Sequence, residues 1–96
     1  MQIVWTETAI RHLAGIQAHI QQDKPIAARR VAKVIRETVT YLATHPNLGH
    51  AGRKPGTREL VVGDTPYIVP YRVQDGRLTI LAILHGARRQ RATRDR

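Results

Sequence analysis

Three apolar runs in the second half of the chain, each bounded by turn residues, restrict the fold more than any other feature. They are Thr57 to Val62, Tyr67 to Gln74 and Arg77 to His85. Gly63-Asp64-Thr65-Pro66 separates the first two, and Asp75-Gly76 separates the last two. An Asp-Gly pair between such runs is a strong signal for a tight hairpin. The runs therefore predict a three-stranded antiparallel meander. In the middle run Tyr67, Val69, Tyr71 and Val73 alternate with Ile68, Pro70, Arg72 and Gln74, which gives that strand two distinct faces. The closing run is apolar on both faces, as a central strand would be. Proline has no amide hydrogen and avoids interior strands except at bulges or unpaired edges, so the ladder is expected to break at Pro70.

Helical periodicity fills the first half. Gln2 to Trp5 is a short β-prone run, and Thr6 offers a hydroxyl cap for a helix behind it. Ala9, Leu13, Ile16 and Ile20 recur at spacings of four, three and four, which puts them on one helical face. The polar break Gln21 to Lys24 ends that helix, and Pro25 suits the first turn of a second. There, Ala28, Val31, Ile35, Val39 and Leu42 form one apolar row, and Ala27, Val34, Thr38 and Tyr41 form its neighbour. Together they make a stripe wide enough to cover a sheet and the first helix. Pro46 disfavours helical geometry at His45, so the second helix should stop there. Residues 46–56, with three glycines and two prolines, read as loop. The order predicts one α+β domain over residues 1–96: an N-terminal strand, a helical hairpin and the meander, in one small sheet. The first strand must cross back to the sheet, and is expected beside the last strand.

Charge narrows the choice of partner. Lys and Arg number 16 against 7 Asp and Glu, a formal net charge of +9. Residues 1–52 carry six basic and three acidic groups, and residues 53–96 carry ten and four. A solvated Arg-rich surface is the plain reading of this excess. A polyanionic partner, either nucleic acid or an acidic protein, is the sharper one. There is no cysteine, so disulfides and thiolate metal sites are excluded. The five histidines form no tight ligand pair, and neither metal nor cofactor is expected. No apolar run is long enough to span a bilayer, and the first residues lack the pattern of a signal peptide. A cytoplasmic location and no membrane partner follow as expectations.

The basic residues sit at the ends of the strands. Arg53 and Lys54 lie in the Gly-rich loop, Arg58 and Arg72 on the first two runs, and Arg88 and Arg89 just past His85. Cations fixed on a rigid frame bind phosphates or acidic surfaces. From residue 88 the chain becomes a basic tail without apolar periodicity.

At this point the ordered elements resemble the RelE/ParE superfamily of type II toxins. The residues that carry the resemblance are Trp5-Thr6, His45-Pro46 with Gly49, Gly56-Thr57-Arg58-Glu59-Leu60, Tyr71-Arg72-Val73 and Ile83-Leu84-His85-Gly86-Ala87-Arg88. The match covers nearly the whole chain. It implies a growth-inhibiting toxin neutralised by a cognate acidic antitoxin in a hetero-oligomer. The implied antitoxin-binding residues are Leu13, Ile16, Ile20, Val31 and Ile35, on apolar rows left open by so small a core.

Two activities occur in that superfamily. RelE-like members cleave messenger RNA in the ribosome, and ParE-like members poison DNA gyrase without cleaving anything. Metal-free RNA cleavage needs a proton acceptor, a proton donor and cations for the phosphate. His85, Arg72 and Arg88 are the candidates for that chemistry. RelE-like sequences commonly place an Arg where this chain has Ile68, and no Tyr follows Tyr71 to match the C-terminal Tyr of some RelE-like enzymes. The Leu-His-Gly-Ala-Arg ending resembles the ParE branch. The expectation is therefore a gyrase-directed toxin that meets its target through Arg53, Lys54, Arg58, Arg72, His85, Arg88 and Arg89. The alternatives are a ribosome-dependent endoribonuclease and a basic nucleic-acid-binding module without toxicity. An aromatic content of 4% speaks against the last, because such modules stack bases on rings.

Overall fold

In the computed structural model, which describes residues 1–87, the chain runs β1 (Gln2–Trp5), α1 (Glu7–Gln21), α2 (Pro25–Thr44), β2 (His50–Ala51), β3 (Arg58–Val61), β4 (Tyr67–Gln74), β5 (Arg77–Ile80) and β6 (Leu84–His85). Local chemistry sets the helix limits. The Thr6 hydroxyl accepts the Ala9 amide at 3.1 Å and caps α1. Pro25 opens α2, where its missing amide hydrogen costs nothing. His45 ends α2 in a non-helical conformation directly before Pro46. Asp75 and Gly76 have φ of 53° and 75°, the two positive values that a type I′ hairpin needs.

The sheet is wider than a three-stranded meander with one crossover strand. Its order is β1-β5-β4-β3-β2, and β6 pairs with β4, so six strands take part among the described residues. β1 runs parallel to β5, with Trp5 opposite Ile80, so β5 is an interior strand between β1 and β4. Only its Leu78 and Ile80 face is buried, and Arg77 and Thr79 lie on the other. Two short strands account for the difference. His50–Ala51, expected within a loop, pairs antiparallel with β3. The closing run Arg77 to His85 is divided into β5 and β6.

Pro70 explains that division. β4 pairs with β5 from Tyr71↔Ile80 outward and with β6 at Ile68↔Leu84. Between these points Val69 and Pro70 stand opposite Leu81, Ala82 and Ile83, one residue too many, which is a β-bulge. The Leu81 amide donates to the Pro70 carbonyl at 2.9 Å. In a regular pair Pro70 would donate back, and it has no hydrogen to give. The ladder breaks where the sequence predicts.

Both helices pack on one side of the sheet. The enclosed cluster joins Ala9 from α1 and Ile35, Val39 and Leu42 from α2 to Val69, Tyr71, Leu78, Ile80 and Ile83. Burying a side chain of this size stabilises the fold by about 1.5–3 kcal/mol. Ile35 needs correcting here. It was expected on a row open to a partner, but it is fully enclosed and belongs to the core. Of the same set, Leu13, Ile16 and Val31 are half-buried against that core. Ile20 is also half-buried, near the end of α1.

Candidate functional site

Two surfaces stand out, a groove beside α1 and the basic side of the sheet. The groove lies between β1, α1 and α2 and has a volume of about 560 Å³. Ile3 and Trp5 come from β1, Ile10, Leu13 and Ala14 from α1, and Val39 from α2, with Gln17, Arg36 and Thr40 supplying polar atoms. Ile10 is 54% exposed, an unusual position for a large aliphatic side chain on a helix that packs against a core. Leu13 is the one groove residue among those expected to meet a partner. Ile10, Ala14 and Gln17 belong to a second row on α1, at spacings of four and three. Their period was visible in the sequence, but the mixture of Ile, Ala and Gln hid it. Only the position of β1 shows that this row faces a groove.

The predicted cations occupy different parts of the sheet. Arg72 is half-buried on β4, opposite Thr79 of β5. By strand alternation it lies on the face away from the helices, because its neighbour Tyr71 is in the core. Arg53 and Lys54 are exposed in the turn between β2 and β3. That turn is held firmly. The Gly52 amide donates to the Thr57 carbonyl at 2.8 Å, and the Thr57 hydroxyl donates to the Lys54 carbonyl at 2.7 Å. The Arg53 amide donates to the carboxylate of Glu59, a buried acid on β3, at 3.4 Å.

Arg58 is used differently. Its guanidinium donates to the Gly49 carbonyl at 2.7 Å and to the Asn47 carbonyl at 3.4 Å. It therefore braces the loop after α2. Tyr71 completes the brace: its hydroxyl donates to the Pro46 carbonyl at 2.8 Å and accepts the Gly49 amide at 2.9 Å. A Cβ on Gly49 would come within 2.6 Å of that hydroxyl and 2.8 Å of the Glu59 carbonyl, so only glycine fits. The Tyr71 ring fills the core, and its hydroxyl is the centre of this corner.

His85 lies at the far end of β4 from Arg72. Its ring meets the Tyr67 ring edge-on, with centroids 5.6 Å apart, and its Nδ1 accepts the Ala87 amide at 3.2 Å. Arg58, Arg72 and His85 thus do not form one cluster. Arg88 and Arg89 lie outside the described residues. Among the described residues, no group of three His, Cys, Asp or Glu side chains could hold a metal ion. Nor, among the described residues, is any helix long and apolar enough to cross a membrane.

Comparison with known proteins agrees with this architecture. The family described as ParE toxin of type II toxin-antitoxin system, parDE, matches residues 3–90. Y4kP of Sinorhizobium fredii is 45% identical over 84 residues, 88% of this chain and 86% of its own length. Toxin RelE2 of Caulobacter vibrioides is 39% identical over 87 residues, 91% of this chain and 97% of its own length. A chain of the chromosomal ParDE TA system from P. aeruginosa superimposes with a TM-score of 0.81 at 28% identity, covering 88% of this chain and 95% of the other.

Proposed function

From the premise that the chain belongs to the ParE toxin family of type II toxin-antitoxin systems, we propose that it arrests growth by binding DNA gyrase and that a cognate antitoxin prevents this. The observation that carries the choice of a binding toxin over a nuclease is how the reactive side chains are used. Arg58 is committed to the carbonyls of residues 47 and 49, and His85 Nδ1 to the Ala87 amide. RNA cleavage needs an acid, a base and a cation converging on one phosphate. Arg72 and His85 instead sit at opposite ends of β4. Ile68, where RelE-like sequences commonly place an Arg, supports the same reading.

On this reading Arg53, Lys54, Arg72 and His85 act as separate contacts to the target rather than as a catalytic centre, and the other expected contacts, Arg88 and Arg89, lie outside the described residues. The antitoxin takes the groove of Ile3, Trp5, Ile10 and Leu13. An amphipathic segment would bury its apolar face there, and acidic side chains would meet Arg36 at the rim. Charge attraction predicts that added salt weakens the complex. In vivo the toxin would act in the cytoplasm, where both gyrase and the antitoxin are found.

The second reading, ribosome-dependent cleavage of messenger RNA, is favoured by the 39% identity to a protein named RelE2. One pair of assays separates the two. Purified protein is expected to inhibit gyrase supercoiling in vitro and to leave message on translating ribosomes intact. Cleaved message with unaffected supercoiling would reverse the assignment. Normal growth on expression without the antitoxin would remove both.

A further inference from the structure

The bulge opposite Pro70 leaves polar groups that β4 cannot satisfy, and α1 supplies the partners. Neighbouring residues of a strand turn their N–H and C=O groups to opposite edges. Pro70 faces the bulge, so Val69 faces β3, and the Ile83 amide has no acceptor in β4. It donates instead to His12 Nδ1 on α1 at 3.2 Å, across 71 positions of sequence. Ile83 itself is 3% exposed, so water is a poor substitute. The Thr6 hydroxyl at the head of α1 donates to the Ile80 carbonyl at 2.8 Å and the Leu81 carbonyl at 3.2 Å. Residues 80, 81 and 83 are therefore all tied to α1.

β6 begins directly after the tied residue, at Leu84. Its course is closed by the Gly86 amide, which donates to the Pro66 carbonyl at 2.8 Å, and by the His85 ring against Tyr67. We propose that His12 is a positioning residue. By accepting the Ile83 amide it fixes the bulge and aims β6, with His85, at the target. This inference rests on the reading that the His85 end of the sheet meets the target. An accepting Nδ1 requires the imidazole to be neutral with its proton on Nε2. The sequence gives His12 no role beyond being one of five histidines without ligand spacing, and the structure gives it a long-range partner.

Asparagine can place its amide oxygen near the position of Nδ1, whereas leucine offers similar bulk and no acceptor. The experiment compares His12→Asn and His12→Leu, each co-expressed with the product of the adjacent reading frame. Amide exchange at Ile83 is measured in the purified complex, and growth arrest is measured on expression of the toxin alone. His12→Leu is expected to speed Ile83 exchange by about tenfold, the scale of one lost hydrogen bond, and to weaken growth arrest while still co-purifying with its partner. His12→Asn is expected to restore both. Unchanged Ile83 exchange in His12→Leu would overturn the proposal, as would faster exchange with full growth arrest. Should His12→Leu not fold, His12→Asn alone decides. Native protection with full arrest supports the role, and impaired arrest in the folded variant ends it. If the wild-type chain arrests growth and both variants do so equally, only the role of His12 falls. If the wild-type chain causes no arrest, the toxin reading falls first.

Discussion

The corner around Tyr71 and the groove beside α1 are built on opposite rules. In the corner every strong hydrogen-bonding group has a named partner: the Tyr71 hydroxyl, the Gly49 amide, the Pro46 carbonyl and the Arg58 guanidinium. Its packing is so close that Gly49 has no room for a methyl group. The groove has the reverse character. It is lined mainly by apolar side chains, stays open to solvent, and leaves Ile10 more than half exposed. The corner is a finished structure that needs nothing from outside. The groove keeps apolar surface in water, and that surface gains free energy only when another molecule covers it. The difference teaches where to look for stability and where to look for binding.

Substitutions can test that division, beginning with the largest effect. Tyr71→Ala should cost about 3–5 kcal/mol, because it empties a fully buried ring position. Chemical denaturation measures it, and a loss under 1 kcal/mol would show that the corner is not a stability element. Tyr71→Phe keeps the ring and removes only the hydroxyl. It leaves the buried Gly49 amide without its acceptor and should cost about 1–3 kcal/mol. A chain of this size should then melt several degrees lower.

Thr6→Ala removes the α1 cap and the contacts with Ile80 and Leu81. The expected loss is about 1 kcal/mol, with a thermal melt as the measurement. Ile10→Asp probes the groove. Its effect on stability should stay within about 0.5 kcal/mol, since more than half of the side chain is already in water. Antitoxin affinity, read by calorimetry, should fall by at least about tenfold, because a charge then faces an apolar contact. Equal losses of stability and affinity would erase the contrast between the two regions. The smallest effect belongs to Lys33→Ala on the outer face of α2. Its partner Glu37 is 3.8 Å away and both side chains are largely exposed, so the melting temperature should hardly move.

Some of this design could be read from the chain and some could not. Helix limits at Thr6, Pro25 and His45 were legible, because caps and proline sterics act within a few residues. The hairpin turn at Asp75-Gly76 and the break at Pro70 were legible for the same reason. Ile35 was misread as part of an open row. Helical periodicity gives the face of a residue but not what covers that face. The groove was only partly legible, since Leu13 was named while Ile3, Trp5 and Ile10 were not. Those three share a site only because β1 pairs with β5.

By itself the sequence determined the order of the main elements, the limits of the helices, the hairpin turn at Asp75-Gly76 and the excess of positive charge. Each of these depends on neighbouring residues or on composition. Tertiary structure alone decided the two extra short strands, the parallel direction of β1 beside the strand where it was expected, the polar duties of Tyr71, Arg58 and His12, and the separation of Arg72 from His85. Each of those depends on contacts between residues far apart in the chain, and a contact of that kind exists only once the core has closed around it.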